Sequence, residues 1–167
     1  MNTDAAVVVA AGSNLSGEFA SPQALLEAAL ASLQAAGLAI ARRSRWWRSA
    51  AWPPDGTSPD YLNGVALVET RLGPRETLDL LLNVERRFGR ERGRANAPRT
   101  LDLDLIAHGR RRLRAPGLVL PHPRAHERLF VMGPLAEIAP AWRHPVLGLS
   151  AVQLAARAPI GADARPI

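Results

Sequence analysis

Residues 101–108 have the sequence Leu-Asp-Leu-Asp-Leu-Ile-Ala-His, which begins with a strict alternation of apolar and charged side chains. Such an alternation is typical of a β-strand with one face in the core. Leu101, Leu103 and Leu105 then face the core. Asp102 and Asp104 face the other side, with Cα atoms about 6.5–7 Å apart. The sequence therefore predicts a strand that displays two neighbouring carboxylates.

The flanking segments predict further strands and helices. Strands are expected over 5–11, 38–48 and 61–70, and helices over 22–36, where Ser21-Pro22 is a start signal, and 74–88. A short strand over 113–120 and helices over 127–138 and 150–157 follow. The order β-α-β-β-α-β is typical of an α+β, ferredoxin-like sandwich, a mainly antiparallel sheet covered by helices, here with additional C-terminal helices. We expect one domain over 1–160 and a loose tail over 161–167.

Composition excludes several kinds of chemistry. The 167 residues include no cysteine, and all 21 basic residues are arginine. Disulfides, thiolate nucleophiles, cysteine-ligated metals, Schiff-base lysines and the P-loop lysine are therefore excluded. The Gly-x-Ser-x-Gly and His-Glu-x-x-His motifs are also absent from the sequence, so nucleophilic hydrolases and zinc proteases of those types have no support.

The net charge of +6 predicts an anionic partner such as a nucleotide, a nucleic acid or a membrane surface. A GC-rich genome that uses arginine in place of lysine explains the same excess. Met1 to Asp4 is neutral or acidic, unlike a signal peptide, and no apolar run approaches the ~20 residues of a membrane span. We therefore expect a cytoplasmic protein that does not bind membranes.

The carboxylate pair predicts a metal site. Two hard cations can be shared between such carboxylates and a polyphosphate, although an exposed amphipathic strand is the simpler interpretation. Guanidinium groups, which bind phosphate bidentately, surround the pair in the sequence. Six precede it and four follow it: Arg86, Arg87, Arg90, Arg92, Arg94 and Arg99, then Arg110, Arg111, Arg112 and Arg114. Arg99, directly before the strand, is the strongest candidate, since many of the others can be solvated surface residues.

Other residues suit a flat, phosphorylated ligand. Tyr61 and Asn63 alternate on one strand, so a ring that stacks and an amide that hydrogen-bonds share a face. His122 lies between two prolines, a rigid setting for a phosphate donor, although a structural role is as common. Gly12-Ser-Asn14 follows a buried strand and is either a ligand-binding turn or a simple turn.

Taken in order, these segments resemble the 6-hydroxymethyl-7,8-dihydropterin pyrophosphokinases of folate biosynthesis. The resemblance extends from residue 11 to about 140 and rests on six stretches: Ala11-Gly-Ser-Asn-Leu15, Pro59-Asp-Tyr-Leu-Asn63, Glu85 with Gly89-Arg90, Ala97-Pro-Arg-Thr-Leu-Asp-Leu-Asp104, Pro121-His-Pro123 and Arg128-Leu-Phe130. Pro-Arg-Thr-Leu-Asp-Leu-Asp is the most specific of them. The sequence departs from the family pattern at Leu82, Asn96, Ala97 and Pro123.

The resemblance implies transfer of pyrophosphate from ATP to the pterin hydroxymethyl group, with release of AMP. It implies that Asp102 and Asp104 hold two Mg²⁺ ions. The implied ATP contacts are Arg92, Arg99, Leu105, His122 and Arg128. The implied pterin contacts are Ser49, Trp52, Tyr61, Asn63 and Phe130. The loops over 49–60 and 89–98 are implied to close over the substrates, and the protein is expected to act as a monomer.

Two other classes remain open from the residues. A basic nucleic-acid-binding module explains the arginine excess, but the aromatic side chains expected among the basic residues of a single-strand binder are missing. A metal-dependent nuclease explains the carboxylate pair and leaves Tyr61, Asn63 and Phe130 unexplained.

Overall fold

A computed structural model describes residues 1–51, 54–89 and 100–167. The strands are β1 (Val7–Ser13), β2 (Ala39–Arg43), β3 (Trp47–Ser49), β4 (Tyr61–Glu69), β5 (Asp102–His108), β6 (Leu113–Ala115), β7 (Leu118–Leu120) and β8 (Arg165–Pro166). The helices are α1 (Pro22–Ala35), α2 (Pro74–Arg87), α3 (Leu129–Ile138) and α4 (Ala151–Arg157), with single 3₁₀ turns at Thr3–Ala5 and Ala125–Glu127.

The main sheet confirms the predicted α+β, ferredoxin-like architecture. β1 is antiparallel to both β4 and β5, and β4 also pairs with β2 and β3 on its other side. This order places β1 and β4 in the middle of the sheet. Because β1 has neighbours on both edges and core on both faces, all seven of its residues are buried. This burial explains the uninterrupted apolar run Val7–Ala11 within it.

Two apolar clusters sandwich the sheet. Val7, Val9 and Ala11 pack toward α1 and α2, whereas Val8 and Ala10 pack toward α3 and α4. α1 begins as predicted, since the Ser21 side chain accepts a hydrogen bond from the backbone N–H of Ala24 and Pro22 occupies the first turn. Each face of the sheet is therefore covered by a pair of helices.

The single strand predicted over 38–48 is two strands, β2 and β3. The interruption lies at Ser44, whose Oγ accepts the backbone N–H of Val65 (3.0 Å), a group that a strand carbonyl would otherwise bind. A register shift between Ile40 and Arg42 adds to the interruption. The strand predicted over 113–120 is likewise a hairpin of β6 and β7, because Pro116 and Gly117, the latter with φ of +71°, form a turn.

The C-terminal residues differ from the prediction of a loose tail. β8 pairs with β3, and the backbone N–H of Ile167 donates to the carbonyl of Trp46 (3.1 Å). Backbone hydrogen bonds to the edge of β3 provide this order, and they leave no periodic signal in a short Gly-Ala-Pro-rich segment. In the described part of the chain, no helix has the length and apolar character that crossing a membrane requires.

Candidate active site

A cavity of about 170 Å³ lies where β1, β3, β4 and β5 meet the start of α3. Its walls include seven of the residues that the sequence predicts for the site: Ser49, Tyr61, Asn63, Asp102, Asp104, Arg128 and Phe130. Two adjacent carboxylates, two aromatic rings, an amide and a guanidinium group, drawn from distant parts of the chain, therefore share one cavity.

Strand register brings the polar residues together. In β1, Gly12 is paired with Asn63 of β4 on one side and with Asp102 of β5 on the other. Asp104 is the partner of Ala10 on the same face. Leu103 and Leu105 lie in the core beneath α1 and α2, as the alternation predicts. The two carboxylates consequently face the α3 side of the sheet, into the cavity.

The absence of a side chain at Gly12 makes room for Asn63. A Cβ added at Gly12 would lie 2.3 Å from Asn63 Oδ1, well inside van der Waals contact. The amide therefore lies over the β1 backbone. Gly12 and Ser13, predicted to begin a turn, are instead the last two residues of β1, and Gly12 contributes to the site through its missing Cβ and itself lines the cavity.

Arg128 and Phe130 come from the start of α3. Arg128 is the N-cap residue of this helix, with extended backbone, and its guanidinium carbon lies 5.9 Å from the centre of the Phe130 ring. The positive charge and the ring thus form one wall, close to the two carboxylates that line the same cavity.

His122 lies in a neighbouring groove of about 480 Å³ together with Arg112, Arg114 and His126. Burial lowers the pKa of His122, and the charges of Arg128 and Arg124 act in the same direction, while Asp104 opposes them. The ring is therefore neutral at pH 7. Its Nδ1 accepts the backbone N–H of Arg124 (3.1 Å), so the neutral ring carries its proton on Nε2 and can donate one hydrogen bond without adding a charge.

The side chain of Leu105, a predicted ATP contact, is buried in the apolar core beneath α1 and α2 and faces away from the cavity. The prediction for this residue therefore concerns its backbone. Trp52, Arg92 and Arg99 lie outside the described residues, as do parts of the two loops predicted to close over the substrates.

Glu85 supports strand β5 from the side of the sheet covered by α2, a role that was not predicted from the sequence. This α2 residue is 1% exposed, and its Oε2 accepts the backbone N–H of Leu103 at 2.9 Å. Leu103 lies between the two aspartates, so Glu85 fixes the backbone that displays them. The signal in the sequence is a glutamate at a core position of the helical repeat, where a charge is costly unless it is paired.

The donor set of the site suits a hard cation that shares its coordination with a ligand. Among the described residues no group of three or more His, Cys, Asp or Glu side chains could enclose a metal. Asp102 and Asp104 offer carboxylate oxygens only, so water or phosphate oxygens would complete the coordination. Mg²⁺ is commonly held in this way, by one or two carboxylates and a substrate polyphosphate.

Fold and site together define an α+β sandwich protein whose antiparallel sheet presents a carboxylate pair and an aromatic-walled cavity on one face. Residues 8–140 match the family model described as 7,8-dihydro-6-hydroxymethylpterin-pyrophosphokinase (HPPK). The chain belongs to this family of pyrophosphokinases, in agreement with the resemblance seen in the sequence.

Individual relatives agree with the family assignment. The chain is 46% identical over 130 residues to the 2-amino-4-hydroxy-6-hydroxymethyldihydropteridine pyrophosphokinase of Synechocystis, covering 77% of this chain and 66% of the relative. It is 39% identical to the Haemophilus influenzae enzyme of the same name, covering 78% and 79%. It is 35% identical to the mitochondrial folate synthesis bifunctional protein of Arabidopsis thaliana, covering 82% of this chain but 24% of that protein.

A solved structure shares the fold. The wild-type Plasmodium falciparum HPPK-DHPS crystallised with pteroate superposes with a TM-score of 0.72 at 11% identity, over 90% of this chain and 44% of that one. The chain thus spans less than half of this structural neighbour and just under two thirds of the Synechocystis relative.

Proposed function

We propose that this protein transfers a pyrophosphoryl group from ATP to 6-hydroxymethyl-7,8-dihydropterin, with Mg²⁺, to give the pterin diphosphate and AMP. One observation carries the proposal: a single cavity joins a carboxylate pair suited to Mg²⁺ with an aromatic and amide lining suited to a pterin. Membership of the pyrophosphokinase family supports it. A nuclease or a nucleic-acid-binding module would leave that aromatic lining unexplained.

Tyr61, Phe130 and Asn63 would bind the pterin. A flat, uncharged bicycle buries well between aromatic side chains, and the side-chain amide can both donate and accept hydrogen bonds at its edge. The side chain of Asn63 lies over Gly12, near the end of β1. Gly12 is paired with Asn63 on one side and with Asp102 on the other. A pterin bound there would place its hydroxymethyl substituent near the carboxylates.

Asp102 and Asp104 would hold Mg²⁺ on the cavity face of β5. When bound, the metal neutralises charge on the triphosphate, which the carboxylates alone would repel. Arg128 would bind phosphate oxygens with its guanidinium group, and neutral His122 would donate a hydrogen bond from Nε2. Arg92 and Arg99 remain predicted phosphate ligands from outside the described residues.

The reaction balances without a protein nucleophile. The hydroxymethyl oxygen attacks the β-phosphorus, the bond from that phosphorus to the α,β-bridging oxygen breaks, AMP leaves with the electron pair, and the hydroxyl proton passes to solvent. Phosphoryl-type transfers depend mainly on positioning and charge stabilisation. The described side chains of the cavity would supply both, since they would hold two ligands on one face of the sheet, with acidic and basic groups beside them.

The test is to incubate the purified protein with ATP, MgCl₂ and the reduced hydroxymethyl pterin and to separate the nucleotides by ion exchange. AMP and the pterin diphosphate should appear in equal amounts, and only when all three components are present. Asp104→Asn should form neither, whereas Asp79→Asn, which alters an exposed carboxylate on α2, should match the wild-type rate. Formation of ADP in place of AMP, or of no pterin product, would refute the proposal.

A further inference from the structure

Residues 160–167 form a segment, here called the C-terminal strap, that contacts two parts of the cavity wall, the start of α3 and the end of β3. The segment lies beyond the residues that match the family model, which end at 140. It runs from the start of α3 to the end of β3, where it becomes β8. Its contacts therefore connect two walls of the cavity that are far apart in the chain.

On one side the strap holds the start of α3. The carbonyl of Ile160 accepts the backbone N–H of Leu129 (2.9 Å), and its own N–H donates to the carbonyl of Glu127 (3.0 Å). Gly161 packs directly on the Phe130 ring, since an added Cβ would lie 2.5 Å from Phe130 Cδ1. The ring thus has a backbone surface behind it that leaves no space for a side chain.

On the other side the strap holds the end of β3. The Oδ2 of Asp163 accepts the backbone N–H of Ala50 at 2.8 Å. β8 pairs with Trp47 and Arg48, which lie three and two residues before Ala50. Ser49 and Ala50 both line the cavity. The carboxylate therefore binds the backbone at the point where the chain leaves β3 and enters the part of the cavity wall formed by Ser49 and Ala50.

We propose that the C-terminal strap positions two parts of the wall of the pterin site, with Gly161 as a positioning residue for Phe130 and Asp163 as one for Ser49–Ala50. The inference rests on the proposed function, because it assigns the aromatic wall to the pterin. The strap does not line the cavity, so its effect passes through the residues it holds. Changes at Gly161 and Asp163 should thus alter affinity for the flat heterocycle more than affinity for the nucleotide, whose phosphates Arg128 would bind beside the Phe130 ring.

The chain offers a matched pair of glycines for the test. Gly161 has φ of +73° and Gly148 has φ of +70°, so alanine carries the same backbone strain at both positions. A Cβ at Gly148 meets nothing within 4 Å, whereas a Cβ at Gly161 displaces the Phe130 ring. We expect Gly161→Ala to raise the pterin Kd about tenfold, or about 1.4 kcal/mol. Gly148→Ala should leave this Kd unchanged, and Gly161→Ala should change the Kd of a non-hydrolysable ATP analogue with Mg²⁺ much less than that of the pterin.

A second pair of variants removes the other contact. Asp163→Ala should raise the pterin Kd severalfold, and Asp163→Asn should restore most of the affinity, since the amide oxygen can still accept the Ala50 N–H. Titration of intrinsic pterin fluorescence gives these constants, and calorimetry gives those of the ATP analogue. Unchanged pterin affinity in both Gly161→Ala and Asp163→Ala, or an equal loss of affinity for both ligands, would refute the positioning role of the strap but not the proposed function. A wild-type protein that fails to bind the pterin would refute both the proposed function and the positioning role of the strap.

Discussion

Replacing Gly12 with alanine should separate pterin binding from folding. The new Cβ would lie 2.3 Å from Asn63 Oδ1, so the amide has to move by about 1 Å to reach ordinary contact distance. The next neighbour, the carbonyl of Leu62 at 3.5 Å, tolerates the methyl group without movement. Because the displaced group is the free end of a side chain, the backbone of β1 and β4 need not shift.

The two expected free-energy changes follow from this geometry. Rotation of one amide on the cavity face of the sheet should keep the free energy of unfolding within about 0.5 kcal/mol of wild type. If the amide forms two hydrogen bonds with the pterin at about 1 kcal/mol each, their loss weakens binding by about 2 kcal/mol, or roughly 30-fold. Gly12→Ala should therefore fold normally and bind the pterin poorly.

The assay compares Gly12→Ala with Gly64→Ala, a second glycine of the sheet with no room for a side chain. A Cβ at Gly64 would lie 2.7 Å from Cζ3 of Trp46, a ring that is 6% exposed and cannot move freely. Urea unfolding should show Gly64→Ala destabilised by about 1–3 kcal/mol. Pterin titration of the folded protein should show near-wild-type affinity for this variant and a loss only in Gly12→Ala.

Two results would refute the reasoning about Gly12. Wild-type pterin affinity in Gly12→Ala would mean that Asn63 does not recognise the pterin edge. A loss of stability similar to that of Gly64→Ala would mean that the strand, and not the amide, absorbs the added methyl group.

Four further substitutions test other parts of the structure. Asp104→Asn should reduce turnover at least 100-fold with unchanged unfolding in urea, because the proposed metal site loses an anionic ligand and the packing stays the same. Tyr61→Ala should weaken pterin binding about tenfold and ATP-analogue binding very little in parallel titrations, because it removes a stacking surface. Glu85→Ala should lower the free energy of unfolding by about 2 kcal/mol, since the buried N–H of Leu103 loses the acceptor at 2.9 Å. Burial lowers the pKa of His144 to about 4, so protonation below pH 6.5 favours the unfolded chain. Wild type should lose about 2 kcal/mol of stability between pH 7 and 4.5 by urea unfolding, and His144→Asn should lose much less.

Each of these four has a contradicting outcome. Full turnover of Asp104→Asn with Mg²⁺ would contradict the proposal that Asp104 binds the metal. An equal loss of affinity for both ligands in Tyr61→Ala would contradict the proposal that its ring stacks on the pterin. Unchanged stability of Glu85→Ala would show that water replaces its carboxylate. His144→Asn keeps an acceptor for the N–H groups of Val146 and Leu147, which the histidine Nδ1 binds at 3.1 Å, so an unchanged pH dependence would assign the acid sensitivity to other groups.

The regular parts of the fold were predictable because local patterns encode them. Alternation at 101–108 predicted β5, and the Ser21-Pro22 start signal predicted the beginning of α1, whose cap the structure confirms. The break at Ser44 was not predictable, since it depends on a hydroxyl that binds the N–H of Val65, 21 residues away. Glu85 was visible as a charge at a core position, but its partner Leu103 was not.

By itself, the sequence determined which side chains could do chemistry and which element carries each. Spacing by two residues is enough to place Asp102 and Asp104 on one face of a strand, and the absence of cysteine and lysine limits the remaining chemistry. Only the tertiary structure decided that these carboxylates share a cavity with Asn63 and Phe130, and that Gly161 packs behind that ring. The physical reason is that local patterns record the burial of each element's own faces, whereas the meeting of distant residues depends on strand register and on backbone hydrogen bonds that any sequence can form.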